Sequence, residues 1–76
     1  MMQEKSDAQL LPELLQGAEL VKSDGNVIFI KLDGARTTGW YTVIITFVVG
    51  GREMIRSDKD TLEEALADVL GRYFAT

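Results

Sequence analysis

The clearest periodic pattern in the chain lies near its C-terminus. It predicts a helix over residues 61–74, because apolar residues recur there at the i, i+3, i+4 and i+7 spacing of an amphipathic helix. We expect Asp60 to cap this helix and Glu63 to complete a capping box, since the free N–H groups of a first turn bind carboxylate oxygens. A metal site at Asp58, Asp60, Glu63 or Glu64 is the alternative, but the central glycine and the ligand frame of a calcium loop are absent.

The strongest strand signal is the β-branched and aromatic run at residues 40–49. Its odd positions are all apolar and should face the core, since side chains alternate along a strand. These positions are Tyr41, Val43, Ile45, Phe47 and Val49.

A further strand is predicted at residues 52–56, after the Gly50-Gly51 turn. A two-residue turn would place Met54 beside Phe47 and turn the arginines inward. A three-residue turn with a bulge would place Ile55 there and send the arginines outward. We favour the second register, because buried arginines are costly unless paired.

The N-terminal half combines a polar start with a predicted hairpin. Residues 1–9 are expected to be flexible, and a short helix is expected over residues 10–16, with Pro12 in its first turn and Gly17 as its stop. Asp24-Gly25 between apolar runs is typical of a tight hairpin turn, joining strands at residues 19–23 and 26–32. The sequence thus predicts one domain, residues 10–76. Its fold class is α+β in two layers, order α-β-β-β-β-α, with a four-stranded antiparallel meander and a C-terminal helix on one face.

Composition removes several function classes. The net charge of −4 disfavours general nucleic-acid binding, which depends on lysine and arginine meeting phosphates. The chain has no cysteine and no histidine, so the commonest nucleophile, general base and transition-metal ligands are missing. We therefore expect no enzyme activity, no cofactor and no membrane association, and a cytoplasmic location.

One predicted sheet face carries more apolar residues than a solvated face needs. Its apolar members could anchor a partner, and cations edge it. The loop at residues 33–39 adds hydrogen-bonding groups beside this face. The candidate partner-binding residues are Trp40, Phe29, Val27, Ile44 and Val48, with Lys31, Arg36, Arg52 and Arg56.

Three interpretations of this face remain open. The N-terminal helix could fold across it, which would make it core. It could bind a partner protein or a second copy, because monomers rarely expose large apolar patches. Or single-stranded nucleic acid could stack on Trp40 and Phe29. The sequence favours a non-enzymatic protein-binding module, of the accessory, inhibitor or immunity type or a homodimer through this face. The alternative is a nucleic-acid-binding domain using the same face.

Two segments of the chain resemble parts of known families. The segment GWYTVIITFVVGGREMIRSDKDTLEEALADVL resembles the strand–strand–helix half of a double-stranded-RNA-binding domain, a family that carries lysines where this chain has acidic residues and Lys59 alone. The segment SDKDTLEEAL is similar to the helix start of HicB-like antitoxins, without their preceding proline-and-glycine motif. We assign the chain to neither family.

Overall fold

Along the chain, one helix precedes a three-stranded sheet and a second helix follows it. A computed structural model describes residues 7–75, with the side chains of residues 10–75. The elements are helix α1 (Asp7–Ser23), strands β1 (Val27–Leu32), β2 (Tyr41–Thr46) and β3 (Ile55–Lys59), and helix α2 (Leu62–Phe74). The strands form one antiparallel sheet in the order β1-β2-β3.

The predicted α+β class is confirmed, whereas the prediction of four strands is wrong. Of the predicted flexible segment 1–9, residues 1–6 lie outside the described residues and the last three belong to α1. Residues 19–23, predicted as the first strand, are the last turns of that helix.

Asp24-Gly25 ends α1 instead of forming a hairpin. The N–H of Gly25 donates to the Lys22 carbonyl (2.9 Å), and the N–H of Asn26 donates to the Val21 carbonyl (3.2 Å). With Gly25 at φ +87°, this is a Schellman motif, which closes a helix through one left-handed residue. The prediction failed because a primed hairpin turn and this helix end both require a glycine with positive φ.

Gly17 is a contact between the helices, not a helix stop. A Cβ atom there would lie 2.9 Å from Cδ1 of Leu70 in α2, so the glycine allows α1 to approach α2 closely. Pro12 lies inside α1 instead of in its first turn, because the helix begins at Asp7.

The core lies between one sheet face and both helices. Val43 and Ile45 of β2 are fully buried, and Tyr41 and Phe47 pack against them, as predicted. Val49, predicted to face the core, is 83% exposed because β2 ends at Thr46.

Both helices supply side chains to this core. Helix α2 contributes its predicted apolar stripe, and α1 contributes the fully buried Val21. The buried members of the stripe are Ala65, Leu66, Val69, Leu70 and Tyr73.

The pairing of β2 with β3 differs from both predicted registers. Ile55 lies opposite Ile45, not Phe47, and Arg56 lies opposite Ile44. The inward position of Ile55 is confirmed, since it is buried. The register shifted because residues 47–54 form a longer connection than a tight Gly50-Gly51 turn.

Helix α2 begins one residue later than predicted, and a side chain caps its first turn. Thr61 is the N-cap, and its Oγ1 accepts from the N–H of Glu64 (3.1 Å) and donates to Oε1 of Glu64 (3.0 Å). Asp60 instead accepts a hydrogen bond from the N–H of Gly39, so the expectation that Asp60 caps the helix is wrong.

Candidate binding surface

Within residues 7–75 no helix covers the second face of the sheet, because α1 and α2 both pack on the first face. The strand registers place alternate residues of the three strands on this side, which we call the open sheet face. Its members are Val27, Phe29, Lys31, Thr42, Ile44, Thr46, Arg56 and Asp58. Of the three interpretations drawn from the sequence, the one in which the N-terminal helix covers this face is wrong.

The part of the open sheet face that begins at β1 is apolar. Val27 is 41% exposed and Phe29 is 52% exposed. Ile44 lies directly opposite Phe29 on the central strand and is half-buried. Aromatic side chains, including phenylalanine, are enriched in protein interfaces, so Phe29 beside these two β-branched side chains is a candidate anchor.

The other part of this face is polar and centred on Asp58. Its carboxylate accepts from Nε of Arg56 (3.0 Å), from Nη1 of Arg36 (2.9 Å) and from Oγ1 of Thr42. These hydrogen bonds, that from Arg56 first, hold the pKa of Asp58 well below its usual range. Thr42 is buried although it lies on the open side.

The connection between β1 and β2 is held against the end of the sheet. Oδ1 of Asp33 accepts from the N–H of Ala35 (3.0 Å), and Nη1 of Arg36 donates to the Gly39 carbonyl (3.0 Å). The indole N–H of Trp40 donates to the Arg36 carbonyl, while 41% of Trp40 stays exposed. Trp40 thus sits at the rim of the open sheet face in a fixed orientation.

Two predicted site residues lie away from the open sheet face. The Arg52 guanidinium stacks 4.5 Å from the ring centroid of Phe47 and donates to the Arg72 carbonyl (3.1 Å) at the end of α2. It is therefore a helix-end contact on the core side, which corrects its predicted place on the rim. Val48 is 64% exposed in the β2–β3 connection, where its N–H donates to the Asn26 side chain.

The remaining predicted residues come together as follows. Val27, Phe29, Lys31, Ile44 and Arg56 lie on the open sheet face, with Arg36 and Trp40 at its end.

Sequence reasoning missed the acidic partners of these cations. It gave Asp58 a role only in an alternative metal site, and it assigned Asp33 no cation partner. Yet Asp33 pairs with Lys31 (Oδ2 to Nζ, 3.4 Å) and with Arg36 (3.4 Å). Their i, i+2 and i, i+3 spacing was visible in the sequence, but the partnership of Asp58 with Arg36 needed the fold.

The described side chains hold no cluster of three or more carboxylates placed to bind a metal ion. Neither described helix is long and apolar enough to cross a membrane. Comparison of the chain with protein-family models, with curated proteins and with solved structures found no match. Its function is therefore inferred from its own surface.

Proposed function

We propose that this protein is a non-enzymatic protein-binding module and that a partner protein packs on the open sheet face. The observation that carries the proposal is that both helices lie on one side of the sheet, which leaves Phe29 and Val27 uncovered on the other. A small accessory, inhibitor or immunity-type protein would fit this role.

The charges around the face favour protein over nucleic acid. Arg36 and Arg56 both pair with Asp58, and Lys31 pairs with Asp33. Nucleic-acid affinity comes from cations that exchange counterions for phosphates, and these cations already have carboxylate partners. The acidic start of α2 also differs from the lysines of a double-stranded-RNA-binding domain. An apolar patch bordered by paired charges agrees with the composition of protein interfaces, which have an apolar core and a polar rim.

The proposal is tested by photo-crosslinking in the cells that produce the protein. A benzophenone amino acid replaces Phe29, whose ring it conserves, and in a matched control it replaces Ala67, an exposed residue of α2. We expect a discrete adduct with a second polypeptide at position 29 and none at position 67. No adduct at position 29, or equal adducts at both positions, would refute a partner on this face.

The same experiment separates the alternatives. A nuclease-sensitive adduct at position 29 would support the nucleic-acid-binding function. An adduct between two copies of this chain would indicate self-association, either face to face or along an edge of the sheet.

A further inference from the structure

The two edge strands of the sheet differ sharply in how well they are protected against pairing with another chain. Strand β3 carries Arg56, Asp58 and Lys59 at its edge, and the outward carbonyl of Arg56 accepts a hydrogen bond from Nη2 of Arg72 (2.6 Å). Charges and capped backbone groups of this kind prevent an edge strand from pairing with another chain.

Strand β1 has none of this protection along most of its length. Its sequence is VIFIKL, with one charge and no proline, and its pairing with β2 is continuous without a bulge. Ile30 is 41% exposed and Leu32 is 67% exposed on the side of the helices, and Phe29 is 52% exposed on the open side. An edge that is apolar on both faces is a template for strand addition.

The backbone groups available at this edge can be assigned. The N–H of Asp33 donates to the Trp40 carbonyl, so the pair 33–40 is hydrogen-bonded, and in an antiparallel ladder such pairs alternate. The odd residues of β1 therefore bond to β2, and Ile28, Ile30 and Leu32 direct their N–H and C=O groups outward. Within residues 7–75 no other residue hydrogen bonds to these outward groups.

A groove lies beside this edge. It measures about 430 Å³ and is lined mainly by apolar surface of α1, with Ile28 at its border. Pro12, Leu15 and Ala18 are among the α1 residues that form its wall.

We infer that β1 pairs antiparallel with β1 of a second copy, in a two-fold register centred on Ile30. A two-fold axis perpendicular to the sheet keeps like faces on the same side, so Ile30 meets Ile30 of the partner and Ile28 meets the partner's Leu32. All three outward backbone pairs are then satisfied. The partner's Leu32, the most exposed side chain of the strand, enters the groove beside Ile28.

The contact joins two sheets into one of six strands and makes the two open sheet faces continuous. It goes beyond the protein-binding role of that face and does not depend on it. A six-residue strand pair covers less than the ~800 Å² per partner of a standard interface. The groove enlarges the contact, and we expect a reversible dimer with a dissociation constant in the range of about 1–100 μM.

The test is sedimentation equilibrium of the full chain over a concentration series. The wild type should move from 8.4 kDa to twice that mass. Ile30→Lys places two like charges opposite each other at the axis and should raise the dissociation constant by more than about tenfold. Val49→Lys makes a similar apolar-to-lysine change at an 83% exposed site away from the edge and should leave the dimer unchanged.

The register has its own test. At a concentration where neither Ile30→Lys nor Ile30→Glu dimerises alone, an equimolar mixture of the two, with one variant ¹⁵N-labelled, should form the heterodimer in native mass spectrometry. Far-ultraviolet circular dichroism checks that both variants are folded.

Three results would overturn the inference. They are a wild type that stays monomeric up to about 1 mM, far above the expected dissociation constant, an Ile30→Lys variant that dimerises as tightly as the wild type, and open-ended association beyond the dimer. Single variants that are monomeric and a mixture that fails to dimerise would overturn the Ile30-centred register. None of these results changes what is expected at position 29 with a different polypeptide, so the two proposals fail separately.

Discussion

Three glycines of this chain should respond with different signs to the same replacement by alanine. An added Cβ would meet nothing within 4 Å at Gly25, Gly34 or Gly71. Steric crowding is therefore matched, and only backbone conformation differs. Gly25 has φ +87° at the end of α1, Gly34 has no positive φ, and Gly71 lies inside α2.

The magnitudes follow from conformational preferences. A left-handed conformation costs an alanine about 1–2 kcal/mol, and the stiffer unfolded chain returns about 0.4–1 kcal/mol. Gly25→Ala should therefore lower the free energy of unfolding by about 1 kcal/mol. Gly34→Ala should raise it by about 0.4–1 kcal/mol, and Gly71→Ala by about 0.8–1 kcal/mol, the difference in helix propensity.

The assay is urea unfolding followed by Trp40 fluorescence and by far-ultraviolet circular dichroism. The two-state treatment applies if the transitions seen by the two probes coincide and if the dependence of the free energy of unfolding on urea concentration is the same in every variant. For a domain of this size, 1 kcal/mol corresponds to a shift in Tm of about 4–8 °C. A Gly25→Ala variant as stable as the wild type would refute the Schellman end of α1, and a destabilised Gly71→Ala would refute its place in α2.

Three further predictions concern single side chains. Arg52→Ala should lower the free energy of unfolding by about 1 kcal/mol through the lost cation–π contact. It should leave the photo-crosslinked adduct at position 29 unchanged, and loss of that adduct would show that Arg52 belongs to the interface. Because the pKa of Asp58 is lowered in the folded protein, its ionised carboxylate stabilises the fold fully above the ordinary carboxyl pKa of about 3.9, and this contribution is lost progressively as the pH falls below that value. The difference in the free energy of unfolding between wild type and Asp58→Asn should therefore become smaller from pH 7 to pH 3; a difference that does not change with pH would contradict this. The pKa of Tyr73 is raised, chiefly by its hydrogen bond to Asp24. In a Tyr41→Phe background, where Tyr73 is the remaining tyrosine, Asp24→Asn should lower the tyrosine pKa measured by ultraviolet absorbance; an unchanged pKa would exclude that cause.

The C-terminal half of the fold was accessible from sequence because its patterns are local and repeated. Apolar residues recur on each turn of α2, and apolar residues alternate along β2 over several positions. Such patterns average out individual exceptions. The one-residue error at the cap of α2 arose because Asp60 and Thr61 are both good N-cap residues. Asp60 instead accepts a hydrogen bond from Gly39, and Thr61 caps the helix.

The N-terminal half was mispredicted for an equally physical reason. Residues 19–23 carry apolar side chains at 20 and 21 that fit a strand as well as a helix. Helix α1 extends through them because Val21 joins the core and Gly17 lets α1 lie against Leu70. Neither contact can be derived from local sequence.

The candidate surface shows the same division. Strand alternation places Val27, Phe29 and Ile44 on one sheet face, and this could be predicted without the fold. That both helices lie on the opposite face could not be predicted, since it depends on the packing of α1 against α2. The pairing of carboxylates with the cations also required the fold, because Asp58 reaches Arg36 across 22 residues of chain. Alternation is a property of the local backbone, whereas coverage and charge pairing depend on contacts between distant segments.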